Sequence, residues 1–352
     1  MKKKIVKWAG TVLVALVLLG LLQRLLMPKY MSESIEGNMV AEYYGENKDH
    51  DVIFIGDCEV YENFSPAALW SEYGINSYIR GSAEQLLWHS YYLLEETLSY
   101  ETPDVVVFNV LALEFNEPRR ESYNRMTLDG MRWSLSKVKS IAASMTEGEH
   151  FLDYVFPLLR YHSRISQLKA EDFEYFWERE KVSYNGFLIR ADVLPAENVP
   201  TGRPLIDYTF GENAMGYLDK MTELCENKGV ELVLIKAPSL YPYWYEEWEE
   251  QVEAYAEAHG LRYYNFLEVS DEIGLDFSKD TYDSGLHLNL SGAEKLTHYF
   301  GRILAEEIGL EDRREEEALA REWEEKLEAY RAEVERQMEA LAEGREVGLP
   351  WQ

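Results

Sequence analysis

The chain predicts an α/β fold on a doubly wound parallel sheet, and three features of its pattern carry that prediction. Nearly continuous apolar runs recur at 52–55, 105–108 and 230–235 without alternation, as expected of strands covered on both faces. Helical stretches separate these runs, so strand, helix, strand, helix and strand follow in series. Gly56, Gly74, Pro103 and Gly229 stand at the breaks between them, where turns and caps need such residues.

Composition narrows the class. The 352 residues are 46% hydrophobic and 13% aromatic, enough for one large core or two modest ones. A formal net charge of −29, from 64 acidic and 35 basic residues, argues against nucleic acid as a partner, because phosphate contacts need a basic face. Two cysteines, Cys58 and Cys225, make no disulfide framework and have no metal-ligand spacing. No phosphate-cradling glycine loop and no His/Cys/carboxylate cluster at ligand spacing is present, so no metal or nucleotide cofactor is expected.

The N-terminus carries the localisation signal. Lys2, Lys3, Lys4 and Lys7 precede a run from Trp8 to Met27 interrupted only by Thr11, Gln23, Arg24 and glycines. About 20 helical residues at ~1.5 Å each reach ~30 Å, the thickness of a bilayer core. A cleaved signal peptide is the rival, but no small-x-small site follows the run. The lysines place the N-terminus in the cytoplasm and the rest of a single-pass protein outside the cell membrane. The expected organisation is a cytoplasmic lysine cluster and signal anchor at 1–28, a polar tether at 29–50, an α/β domain at 51–310 and an acidic amphipathic helix with its tail at 311–352.

Within the domain, the first strand at 52–55 leads through Gly56 into a turn holding Asp57, Cys58 and Glu59. Ser65 and Pro66 then open a helix over 66–73, as N-cap and first helical residue, and Gly74 stops it. A second strand is expected at 75–79. Ser82 with Gln85 reads as a capping box for a helix over 83–100, and the third strand follows at 105–108. From 111 to 204 the pattern loosens into a mainly helical insertion, periodic at 131–145 and 150–176 and dense in aromatic residues, that either roofs a cleft or adds packing. The α/β rhythm returns with a helix at 212–227, the strand at 230–235, a helix at 244–259, a strand at 262–265 and a loop at 280–289. Ser291 and Glu294 read as a second capping box, for a helix reaching Ile308. Finally Leu319, Trp323, Leu327, Tyr330, Val334, Met338 and Leu341 form one stripe on a helix over 312–342. At ~3.7 residues per step this stripe does not favour a left-handed coiled coil; it packs on the domain or pairs with another copy.

Chemistry concentrates at two places. In an open α/β sheet, ligands and reactive groups collect where strand ends swing into helices, which makes Cys58 a candidate nucleophile; the alternative is a small buried hydrophobe. His287, in a glycine-containing loop with Asp283 four residues upstream, is a candidate general base with its orienting carboxylate. Asp280 is the rival carboxylate. Cys225, on the helix before the fourth strand, reads as core. A Cys58–Cys225 disulfide would silence the site, but the sequence holds no geometry for it.

These segments resemble the SGNH/GDSL hydrolase superfamily. Gly56-Asp57-Cys58 resembles its Gly-Asp-Ser block with Cys in the serine position, Gly81 its second-block glycine, and Asp283 with His287 its last block. The similarity spans about 50–110 and 205–308 and is nearest the membrane-anchored branch that includes the teichoic-acid D-alanylation protein DltD and the alginate O-acetylation proteins. It implies an SGNH/flavodoxin-like three-layer fold with Cys58 attacking an acyl carbonyl, His287 taking its proton and Asp283 orienting the ring. It also implies an oxyanion hole from the N–H groups of Cys58 and Gly81 with an Asn side chain, Asn116 first and Asn109 in reserve. The chain departs from the family in its Cys nucleophile, in the spacing of Asp283 and His287, and in lacking a clear Gly-x-Asn-Asp block.

The leading expectation is an extracytoplasmic acyltransferase or esterase acting on a cell-envelope glycan or teichoic acid, with a multi-spanning membrane acyl-donor partner left open. The alternative is a catalytically inactive scaffold or glycan-binding envelope protein. A thiol redox role ranks last, because no Cys-x-x-Cys pair exists.

Overall fold

A computed structural model describes residues 2–28, 35–177 and 181–347. Helix α1 (Lys2–Leu26) is followed by α2 (Ile35–Glu42), and then the sheet begins with β1 (Val52–Gly56). Next come α3 (Cys58–Tyr61), α4 (Pro66–Tyr73), β2 (Ser77–Gly81), α5 (Leu87–Thr97) and β3 (Val105–Asn109). Helices α6 (Glu121–Leu128), α7 (Leu135–Ser144), α8 (Phe151–Val155), α9 (Pro157–Tyr161) and α10 (Ala170–Glu174) form the insertion. The sheet resumes through α11 (Glu212–Lys228), β4 (Glu231–Lys236), α12 (Glu246–His259) and β5 (Arg262–Asn265). Helices α13 (Ser270–Ile273), α14 (Leu290–Ile303) and α15 (Glu317–Ala342) complete the chain.

All strand pairings are parallel, in the order β2-β1-β3-β4-β5. One face buries Phe54, Val107, Val233 and Ile235 with Phe64, Leu296 and Phe300 from the α4 and α14 side. The other buries Ile53, Ile55, Phe108 and Leu234 with Trp88, Leu218 and Val252 from α5, α11 and α12. This double coverage explains why the strands read as continuous apolar runs.

Local signals place several ends. The Ser65 hydroxyl accepts from the Ala68 N–H at the start of α4, and Gly74 ends it at φ 68°. Others act differently from the sequence reading. Ser82 and Gln85 bond each other at 3.0 Å instead of capping a helix, and α5 starts later, at Leu87. Asn289, not Ser291, caps α14, accepting from the Gly292 N–H at 3.2 Å. The expected tether is largely folded: α2 packs against α6, and Met39, Val40 and Tyr43 are buried; residues 29–34 lie outside the described residues. The insertion is helical up to Glu174, but 181–211 runs without helix.

The C-terminal stripe packs on its own domain. Trp323 stacks on Trp70 with centroids 5.3 Å apart and donates from Nε1 to Asn76 at 3.0 Å. Met338, read as part of the stripe, is exposed. Near the far end, buried Gln337 donates to the Ile189 carbonyl at 3.0 Å and accepts from the Ala191 N–H at 2.9 Å. Gln337→Ala strands two buried backbone groups and is expected to lower unfolding stability by about 1–3 kcal/mol, measured by urea denaturation.

Candidate active site

Cys58 follows β1 by two residues and is the first residue of α3, which Asp57 caps by accepting from the Glu59 N–H at 3.1 Å. His287 lies on the loop before α14. Two contacts tie the segments together: Asn63, fully buried, accepts from the Leu288 N–H at 2.8 Å, and the Tyr282 hydroxyl donates to Glu62. Neither Asn63 nor Glu62 stood out in the sequence, because nothing local marks a residue whose partner lies more than two hundred positions away.

The loop explains the spacing of Asp283 and His287. Ser284 at φ 67° and Gly285 at φ 99° fold the chain back tightly, a backbone that glycine adopts without steric cost. One Asp283 oxygen then accepts from the His287 N–H at 2.8 Å and the other meets ring Nδ1 at 2.6 Å. Asp280 is used elsewhere, with Lys295 Nζ at 2.6 Å and the Ser291 hydroxyl at 2.9 Å. A second carboxylate, Glu62, stands 3.5 Å from the same nitrogen. The opposite nitrogen, Nε2, is buried with no hydrogen-bond partner among the described residues. The ring is close enough to Cys58 to act on its thiol electrostatically.

These neighbours set the protons. Burial, opposed by His287 and reinforced by Asp57 and Glu62, pushes the partly exposed Cys58 thiol up to about 11. Burial alone would lower His287, but Glu62, Cys58 and Asp283 outweigh it and hold the imidazolium well above its ordinary range. Each group therefore holds its proton to higher pH than it would in water.

A buried polar network lies alongside the thiol. Lys236, ending β4, reaches Glu59 at 3.0 and 3.2 Å. Asn109, ending β3, donates to Glu59 at 2.9 Å and Asp57 at 3.3 Å and accepts from the Ala237 N–H at 3.1 Å. Burial and Glu59 push the Asp57 carboxyl up to about 7. Burial, Asp57 and Glu59 raise Glu114 to about 7 as well.

The residues expected to hold an oxyanion fall in different places. Gly81 pairs with Gly56 on the rim bearing Cys58, and a Cβ there would come within 2.9 Å of Tyr61 Cδ1. The Asn109 amide is committed to the network just described. Asn116 caps α11, accepting from the N–H groups of Asn213 at 2.9 Å and Ala214 at 3.2 Å. Asn116→Ala is expected to cost about 0.5–2 kcal/mol in thermal or urea unfolding without changing Cys58 reactivity. Cys225 is buried on the α11 side of the sheet, and both thiols are free.

The irregular stretch after the insertion helices roofs this rim. The Leu188 N–H donates to Tyr61 at 2.8 Å and the Leu194 N–H to Thr281 at 3.0 Å, while Arg190 covers the Tyr282 ring at 4.4 Å. Together, fold and site define an α/β protein with a five-stranded parallel sheet, ordered as in flavodoxin-like and SGNH-like folds, with Cys58, His287 and Asp283 gathered at the carboxyl rim. No protein-family model matches the chain, and no curated protein does. Helix α1 contributes one exposed segment, Lys4–Leu26, long and apolar enough to cross a membrane.

Proposed function

We propose that this protein is a membrane-anchored, extracytoplasmic SGNH-type acyltransferase or esterase working through Cys58, His287 and Asp283 on a cell-envelope glycan or teichoic acid. The reading rests above all on His287, whose Nδ1 is held by Asp283 and whose ring acts directly on the Cys58 thiol. The resemblance of the Gly56-Asp57-Cys58 and Asp283/His287 segments to SGNH blocks supports it, and the lysine-flanked apolar helix supports the anchor with the domain outside.

In the first half-reaction, Cys58 Sγ bonds to the acyl carbon and the ester C–O bond breaks. The thiol proton passes through His287 to the departing alkoxide. In the second, an acceptor hydroxyl, or water, gives its proton to His287 and attacks the thioester; the C–S bond breaks and the thiol regains its proton. The carboxylates around Cys58 favour a neutral or cationic acyl group over an anionic one.

The test is intact-mass analysis after reaction with an activated acyl ester. One acyl adduct on the wild type and none on Cys58→Ala is the expected result. A folded, reduced wild type that forms no adduct sinks the reading. It would favour the second one, an inert glycan-binding or scaffolding domain, for which the raised Cys58 thiol is the specific support.

A further inference from the structure

We propose that the cavity where α1 meets α2 and the insertion is a binding site for the phosphate-bearing headgroup of a phospholipid. The cavity holds about 300 Å³ and is lined by Gln23 and Arg24 of α1, Asn38 and Ala41 of α2, and Arg125 and Asp129. The inference takes α1 as a bilayer span and is independent of the chemistry at Cys58.

Three of these lining residues keep a buried polar atom without a hydrogen-bond partner among the described residues: Gln23 Oε1, Asn38 Nδ2 and Arg125 Nη2. Arg125 and Asn38 are each more than nine-tenths buried. Such atoms are rare in folded proteins, since leaving them unpaired is costly; three around one cavity make a polar recess built for a ligand.

The neighbouring contacts orient these groups. Arg125 donates from Nε to Glu121 at 2.8 Å and from Nη1 to Asp129 at 3.3 Å, which leaves Nη2 as the spare donor. The Asn38 oxygen accepts from the Tyr175 hydroxyl at 2.9 Å, so its amide nitrogen is the spare donor there. Asp129, the lining carboxylate, is engaged by Arg125 and by the Tyr161 hydroxyl at 3.0 Å. Arg24 brings a second guanidinium, resting on the Tyr175 and Phe176 rings at 5.8 and 5.3 Å. Two guanidinium groups and an amide donor suit phosphate oxygens; the Gln23 oxygen suits a headgroup hydroxyl or ammonium.

Position selects a lipid over a free anion. Gln23 and Arg24 interrupt the apolar helix at its last turns, the depth at which a spanning helix meets the headgroups. Helices α9 and α10 pack against α1, and around them Phe156, Leu159, Ile165, Phe173 and Trp177 are exposed, an apolar and aromatic surface of the kind found at bilayer interfaces.

Native mass spectrometry of the full chain released from nanodiscs tests this, with incorporation into the discs checking the anchor separately. The probes are phosphatidylglycerol, diacylglycerol with the same tails, and glycerol phosphate. Wild type is expected to retain phosphatidylglycerol about tenfold more tightly than either other probe. Gln23→Met and the cavity-filling Ala41→Phe should each remove that preference, with folding checked by thermal melting. Equal retention of diacylglycerol overturns the headgroup site, and equal retention of glycerol phosphate overturns the lipid as its source. Unchanged phosphatidylglycerol retention in both variants overturns the cavity as the site, above all if Gln23→Met simply melts higher.

Discussion

Lys236→Met is expected to lower unfolding stability by about 3–5 kcal/mol, the usual cost of removing one partner from a buried ion pair. Lys236 and Glu59 are both fully buried, and the ammonium also donates to the Ala237 carbonyl at 2.7 Å. Without it, Glu59 keeps, among the described residues, the Asn109 amide at 2.9 Å, too little to hold a charge away from water. Urea denaturation of both proteins measures the loss, and a change below about 1 kcal/mol would show that the pair is not the anchor inferred here. Adding Glu59→Gln should recover much of it, since a neutral amide needs no counter-charge. Because Glu59 directly follows Cys58, the single variant should also slow acylation by loosening the turn that presents the thiol.

His287→Ala is expected to slow acyl-adduct formation on Cys58 by about 10²–10⁴-fold, the range that general-base catalysis supplies. The pH profile gives a finer test. The reactive pair holds one proton, and the raised His287 and Cys58 values move the loss of the other to higher pH. Wild-type acylation should therefore climb as pH rises above neutrality. Glu62 raises both groups, so Glu62→Gln should move the climb to lower pH. A shift to higher pH, or none, would show that Glu62 does not govern the pair. The same shift bears on stability. A folded His287 value above the unfolded one means that its charge stabilises the fold below the unfolded value near 6.5, and that this contribution fades as pH rises through the folded value.

Which elements exist was legible wherever one residue carries a local signal: Ser65 and Pro66 before α4, Gly74 and Gly229 after helices, the apolar runs of β1, β3 and β4. The reading failed where a signal had two uses. Ser82 and Gln85 fit a capping box, yet their side chains prefer each other. Asn116 has a use that only the fold shows, its side-chain oxygen accepting from the start of α11, far along the chain. Choosing Asp283 over Asp280 needed the left-handed pair Ser284–Gly285, since spacing alone does not say which way a loop folds back.

By itself, then, the sequence determined the parallel sheet, the apolar N-terminal helix and the residue types at the carboxyl rim, because periodicity, caps and hydropathy are local properties of the chain. Only the tertiary structure decided that Cys58 and His287 share one rim, that Glu62 stands beside the imidazole, and that Lys236 neutralises Glu59. It also decided that α15 folds onto its own domain. Each of these is a pairing between distant segments, and burial and charge at such contacts depend on what the whole fold brings together.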